Sequence, residues 1–206
     1  MCKSFKVVAI HGSPRKDGRT SQLLNLVLDE LKKFNEVEIE TIYLVDHPVR
    51  FCMGCYSDDP KSCNPKNCTQ GVLEDSMKSL HSKLILADAI IFATPVYWYN
   101  MSGMMKNFID RLTSLENAGK LLDNKVAGFV VAAEEDGATQ TISNLMAFAN
   151  DNGMLIVPYT LVYSVGGNKI LEDKEAVLYA RRLGQNIYRM LKIACKVKKP
   201  WKEFDD

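Results

Sequence analysis

Short apolar runs closed by turn residues alternate along this chain with stretches whose apolar side chains return every three or four positions. No other feature constrains the fold as tightly. Phe5–His11 is mostly apolar and stops at Gly12, Ser13 and Pro14, the pattern of a strand buried on both faces. Leu23, Leu24, Val27, Leu28 and Leu31 then recur at helical spacing, which predicts a helix over about Thr20–Phe34. The alternation continues with a strand at Val37–Leu44, a helix marked by Leu73, Met77, Leu80 and Leu84, and a strand at Ala89–Ala93. Met104, Met105, Phe108, Ile109 and Leu112 mark the next helix, Val126–Ala133 the fourth strand, Ile142–Asn152 a helix and Met154–Val162 the fifth strand. Val177, Ala180, Gly184, Ile187 and Leu191 mark a closing helix over about Asp173–Ala194. Each parallel crossover needs a helix to return the chain, so five strands alternating with five helices predict an α/β fold. That fold is a doubly wound, five-stranded parallel sheet with helices on both faces.

The 206 residues suit one α/β domain over 1–206, with one long irregular stretch at about 46–70 that exceeds ordinary loop lengths. A net charge of +1 supplies no field to attract nucleic acid or an anionic membrane, and the basic run Lys192–Lys202 gives way to Glu203, Asp205 and Asp206. The N-terminal apolar stretch Val7–Ile10 is too short for a signal peptide. The most apolar region, Leu84–Val96, carries Asp88, ends at Pro95 and falls short of a membrane span. The expectation is a cytoplasmic protein with no nucleic-acid or membrane partner.

Two loops carry the chemistry. Gly12–Ser21 lies between the first strand and first helix, where open α/β sheets bind ligands beyond strand C-termini. Uncapped N–H groups of a helix N-terminus, with Ser, Thr and Arg donors beside them, suit a phosphate; a polar turn with a Thr20 cap accounts for the same residues equally well. Directly after the third strand stands Thr94-Pro95-Val96-Tyr97-Trp98-Tyr99-Asn100-Met101-Ser102-Gly103. Three consecutive aromatics before a Ser102 cap offer a flat apolar platform for a heteroaromatic ring, and equally a surface for oligomer packing. With strand order 2-1-3-4-5 the first and third strands are neighbours, so both loops line one crevice. A phosphate loop beside a ring platform is the outline of a mononucleotide site.

Gly-Ser-Pro-Arg-x-x-Gly-x-Thr, then Thr-Pro-Val-Tyr-Trp, then Met-Ser-Gly-x-x-Lys-Asn-Phe-Ile-Asp-Arg ending at Arg111 occur in this order. Together they resemble the flavodoxin-like NAD(P)H-dependent FMN reductases and iron-sulfur flavoproteins, over roughly Val7–Gly167. The resemblance implies an oxidoreductase that passes electrons from a nicotinamide nucleotide through FMN to a quinone, a flavin or another small-molecule or protein acceptor. The alternative it leaves open is an iron-sulfur flavoprotein or flavodoxin-type electron carrier between protein partners. Carried over by position, Ser13, Arg15, Arg19, Thr20 and Ser21 hold the FMN phosphate, and Pro95, Val96, Tyr97, Trp98, Tyr99 and Asn100 contact the ring and ribityl chain. A third flavin loop falls at Ala133–Gly137, with Glu134 and Gly137. Relatives often carry Asn or Ser at the place of Arg19 and a Gly-rich third loop. Hydride transfer needs no protein acid, base or nucleophile, so no catalytic residue is assigned.

The irregular stretch holds Cys52-x2-Cys55-x7-Cys63-x4-Cys68. Four thiolates so close suit Zn or a [4Fe-4S] cluster, and equally serve as free thiols or disulfides in a capping loop. Iron-sulfur flavoproteins use a more compact spacing, with a cysteine where this chain has Asp58. Cys2 and Cys195 read as isolated structural thiols, and His11, His47 and His81 as structural histidines. The aromatic run Tyr97–Tyr99 exceeds what one flavin face needs, which points to a homodimer or homotetramer.

Overall fold

The computed structural model describes residues 4–68, 75–167, 169–197 and 201–202. In chain order the elements are β1 (Phe5–His11), α1 (Arg19–Leu31), β2 (Val37–Tyr43), α2 (Cys55–Asp58), α3 (Met77–Leu86), β3 (Ala89–Tyr97) and β4 (Asn100–Met101). There follow α4 (Gly103–Arg111), α5 (Thr113–Asn117), β5 (Val126–Ala133), α6 (Ala138–Asp151), β6 (Leu155–Ile156), β7 (Val162–Val165) and α7 (Lys174–Ala194).

β2, β1, β3 and β5 lie parallel in that order, with Val7 opposite both Ile39 and Ala89, and Ala89 opposite Val126. Alternate side chains go to opposite faces, as the strand period requires. Ile90 and Phe92 of β3 with Ala127, Phe129 and Val131 of β5 meet α3, α4 and α6 in one core; Ala89, Ile91 and Ala93 with Val126 and Val130 meet α1 and α7 in the other. β5 is buried at all eight residues, covered on both sides along its length. α7 reaches α1 closely at Gly184, where a Cβ would stand 2.8 Å from both Glu30 Cβ and the Val27 carbonyl oxygen.

The expected strand order 2-1-3-4-5 holds, with one change at the edge. The stretch expected to form a single strand over Met154–Val162 divides into β6, beside the start of β5 at Val126–Ala127, and β7, beside its end at Val130–Ala133. Pro158 has no N–H for the ladder, and Tyr159 takes a left-handed φ of 61°, so pairing is interrupted between them. β3 runs on past Ala93 into a hairpin with β4. Helix α3 begins at Met77, while Leu73 lies outside the described residues. Cys195 is disulfide-bonded rather than an isolated thiol, and Cys2 lies outside the described residues. No helix among the described residues is long and apolar enough to cross a membrane.

Candidate functional site

The parallel sheet delivers the loops after β1, β3 and β5 to one end. The first two are joined by backbone: Gly12 N–H donates to the Ala93 carbonyl at 2.8 Å, and the Ser102 hydroxyl donates to the Gly12 carbonyl. Ser102 also accepts from Met105 N–H as the cap of α4, as its position predicts, and its own N–H donates to Thr94 Oγ1.

Helix α1 begins at Arg19 after Gly18, with no side chain capping it, so Thr20 lies inside the first turn and does not cap. The N–H groups of Arg19, Thr20 and Ser21 have no acceptor among the described residues, the first intrahelical bond being Gln22 N–H to Gly18 O. Ser13 Oγ accepts from Arg15 N–H at 3.2 Å, which leaves its own proton to give. The Arg15 guanidinium and the Thr20 hydroxyl form no bond within the described residues, while Ser13, Thr20 and Ser21 are all buried. Unpaired N–H groups, buried hydroxyls and one uncommitted guanidinium at a helix N-terminus are a donor set for an anion.

Arg19 is arranged differently from the expectation. Its guanidinium donates to the Ala133 carbonyl at 3.1 Å and to Ser164 Oγ at 3.0 Å, and it lies 3.6 Å from the Glu134 carboxylate. Ser164 in turn donates to Asp173, the cap of α7. Arg19 therefore ties α1 to the ends of β5 and β7. Ser21 Oγ lies 2.7 Å from His11 Nε2 in the interior.

The second loop is a two-residue hairpin in which Val96 pairs with Met101 and Tyr97 with Asn100. Its tip, Trp98 and Tyr99, takes φ of 50° and 63°. Such turns usually use Asn-Gly, and bulky residues held there store on the order of 1–3 kcal/mol each. Trp98 is 93% exposed, and Tyr97 and Tyr99 are about half exposed. The third loop closes against this tip: Gly137, at φ 88°, lies so near that a Cβ would stand 2.6 Å from Tyr99 Cα. Asn144 of α6 donates to Asn100 Oδ1 at 3.2 Å, which also accepts from Met101 N–H. Pro95, Val96, Tyr97, Trp98, Tyr99, Asn100 and Gly137 thus form one wall, while the Glu134 carboxylate turns to Arg19.

Of the alternatives left open for the four cysteines, Cys52, Cys55, Cys63 and Cys68 stand here as free thiols. Among the described residues no group of three or more His, Cys, Asp or Glu side chains is placed to hold a metal. Cys52 and Cys55 are exposed, and Cys63 is buried, its thiol pushed up to about 11 by burial and then by the neighbouring thiols of Cys68, Cys55 and Cys52. Cys68 Sγ is bound to Arg111, whose Nε–H donates to it at 3.2 Å. Arg111 is a centre the sequence did not reveal. Its side chain is fully buried, pairs with Asp75 at 2.7 Å, donates to the Arg50 carbonyl at 2.9 Å and reaches the Cys68 carbonyl. Burial pushes the Asp75 carboxyl up, but the Arg111 side chain and the Met77 and Arg50 amides outweigh it and hold it below the usual range. Asn117 adds bonds to the Pro60 and Cys63 carbonyls.

A separate cleft of about 630 Å3 runs along the outer sheet edge, walled by Tyr159, Leu161, Tyr163 and Tyr179, with Asp173 and Glu175 as its charged groups. With acids and no base in its wall it does not suit a phosphate.

A family model described as NADPH-dependent FMN reductase matches residues 5–168. An iron-sulfur flavoprotein of Archaeoglobus fulgidus is 34% identical over 155 residues, 74% of this chain and 72% of that protein. A solved structure described as RosB with bound 8-demethyl-8-formylriboflavin-5'-phosphate superposes with a TM-score of 0.79 at 19% identity, covering 95% of this chain and 82% of that one. An apo NADH:FMN oxidoreductase superposes with a TM-score of 0.67 at 21% identity, covering 95% and 92%.

Proposed function

From the chain's membership of the NADPH-dependent FMN reductase family, we propose that its crevice holds FMN and serves a reductase delivering electrons from NADH or NADPH to a small-molecule acceptor, a quinone or free flavin. The observation that carries this reading is the uncapped first turn of α1, its N–H groups without an acceptor, set across the crevice from an exposed aromatic hairpin. The residues present fit the cofactor. Ser13, Arg15, Thr20 and Ser21 with the N–H groups of residues 19–21 take the phosphate, and Arg19 positions the third loop. The wall from Pro95 to Asn100 takes the ring, and Gly137 keeps that wall in place because no side chain fits between it and Tyr99. Bound flavin supplies the hydride chemistry. The chain orients both partners and limits water at the ring through its apolar wall.

A second reading, an electron carrier between proteins, draws on the exposure of Trp98 at the hairpin tip, which would present the ring edge to a protein surface. The same exposed tip supports assembly of two or four copies. Steady-state oxidation of NADH or NADPH separates the two functions. Turnover with quinone or free flavin alone supports the reductase; oxidation that requires an added protein reductase supports the carrier. A protein that neither releases nor rebinds FMN overturns both. Sedimentation at micromolar concentration tests the assembly, a monomer ruling it out.

A further inference from the structure

His11 closes β1 directly beneath the first turn of α1, fully buried, with the Tyr43 ring of β2 against it at 4.9 Å between centroids. Its Nε2 lies 2.7 Å from Ser21 Oγ, and its Nδ1 has no hydrogen-bond partner. Lys16, paired with Asp46, stands over the Tyr43 ring at 5.4 Å from its centroid, and Ser21 and the Ser13 backbone are the polar groups that face the His11 ring. Burial lowers the His11 pKa, with the backbone of His11 and Ser13 a smaller opposing influence, so the ring is neutral near pH 7.

A neutral imidazole carries one proton, and its two placements have different consequences here. With the proton on Nδ1, a buried N–H is left without an acceptor in hydrogen-bonding geometry, the His11 and Ser13 backbone acting on the ring only weakly, and Nε2 consumes the Ser21 proton. With the proton on Nε2, only a lone pair is orphaned, the more tolerable vacancy in an interior. Ser21 Oγ then accepts from the ring, and its own O–H has no acceptor among the described residues.

We infer that His11 is a positioning residue of the phosphate site: its Nε2–H holds Ser21 Oγ as an acceptor and so turns the Ser21 hydroxyl proton outward, toward a phosphate monoester at the first turn of α1. This rests on the reading of the Gly12–Ser21 loop as the FMN phosphate site. It gives Ser21 a role that its residue type alone does not, because a serine facing a histidine lone pair would have no proton left to offer.

The test compares FMN with riboflavin, which shares the ring and ribityl chain and lacks the phosphate, by fluorescence quenching on apoprotein. Ser21→Ala should weaken FMN by roughly tenfold, the loss of one hydrogen bond to a charged group, and leave riboflavin within about twofold. His11→Leu should reproduce that pattern, the double variant should be no worse than either single, and His11→Gln, which keeps an N–H donor, should restore the FMN preference. Nitrogen NMR of labelled wild-type protein should show the Nε2–H tautomer before and after FMN is added, a readout that does not depend on any variant folding. An Nδ1–H tautomer, a Leu variant that binds FMN as wild type does, or one that weakens FMN and riboflavin equally overturns the inference. Ser13→Ala and Arg15→Ala separate it from its premise. If they too leave the preference for FMN over riboflavin unchanged, the loop is not the phosphate site and the inference falls with it; if they abolish the preference while His11→Leu does not, the inference alone is wrong.

Discussion

The crevice loops and the cysteine-bearing stretch are both irregular, yet they are held by opposite means. The loops after β1 and β3 are fixed by backbone and hydroxyl contacts spread over Gly12, Ala93, Thr94 and Ser102. The stretch from Arg50 to Cys68 converges on one guanidinium, that of Arg111, with Asp75 as its counter-charge. A structure shared among many weak contacts loses little when one is removed, whereas a buried charge is left exposed to its full desolvation cost when its single partner goes. The crevice should therefore tolerate substitutions that the cysteine stretch does not, and its losses should appear in ligand affinity rather than in stability.

The largest expected effect tests that contrast. Arg111→Met leaves Asp75 buried and unpaired and frees the Arg50 and Cys68 carbonyls, which should cost about 3–5 kcal/mol in urea denaturation. Asp75→Leu combined with Arg111→Met removes both charges and should recover part of the loss. A single variant as stable as wild type would break the comparison at its root.

The same region carries a pH dependence of its own. His81, buried beside the Arg111 carbonyl and Ser114, has its pKa pushed down to about 4, chiefly by burial and further by the charge of Arg111. The unfolded chain takes up this proton near pH 6.5 and the folded chain only near 4, so stability is complete above pH 6.5 and falls as the pH drops toward 4. At pH 5 the loss should reach about 2 kcal/mol, from roughly 1.4 kcal/mol per pH unit. His81→Gln should flatten that slope whatever it does to stability at pH 7.5. An equal slope in both proteins would assign the pH dependence elsewhere.

How much of this was legible in the sequence follows the same division. Period-3.6 and period-2 patterns are local, so Leu23 to Leu31 and Ala89 to Ala93 fell where the sheet and its covering helix stand, and the loop positions followed from the strands. The ties of Arg111 to Asp75 and Cys68 span 36 and 43 positions. No local pattern reports such a contact, although Arg111 stood at the end of a recognised motif. Arg19 was read as a phosphate donor because position is all the sequence gives; its turn toward Ala133 and Ser164 depends on where β5 and β7 end. The tip at Trp98–Tyr99 carries no glycine or asparagine, so nothing marked it as a turn.

On the crevice side the effects are smaller and, Arg19 apart, fall on the ligand. Arg15, whose exposed guanidinium has no partner among the described residues, is the donor whose removal should cost affinity and no stability. Arg15→Ala should weaken FMN by about ten- to hundredfold, from 1.5–3 kcal/mol for a charge-assisted bond, and leave riboflavin unchanged. Arg19→Ala should lower stability and weaken both flavins alike, since its bonds hold the third loop. If the two variants exchange these patterns, the guanidinium that meets the phosphate is that of Arg19.

The smallest expected change has the opposite sign. Trp98 holds φ 50° at 93% exposure, so its ring buries almost nothing to offset the left-handed backbone it must adopt. Glycine takes that conformation freely, and its greater freedom in the unfolded chain removes part of the gain, so Trp98→Gly should stabilise the protein by roughly 0.5–1 kcal/mol. The flavin should respond in the other direction: FMN and riboflavin should weaken by similar factors, because the ring is the part they share. A gain in stability joined to a loss of ring affinity is what strain retained for binding predicts. If Trp98→Gly instead destabilises the chain, the indole is packed against a surface that this monomer does not contain, and a second copy covering the hairpin is the first to test. If FMN weakens while riboflavin does not, the hairpin meets the phosphate end, and the two loops have exchanged roles.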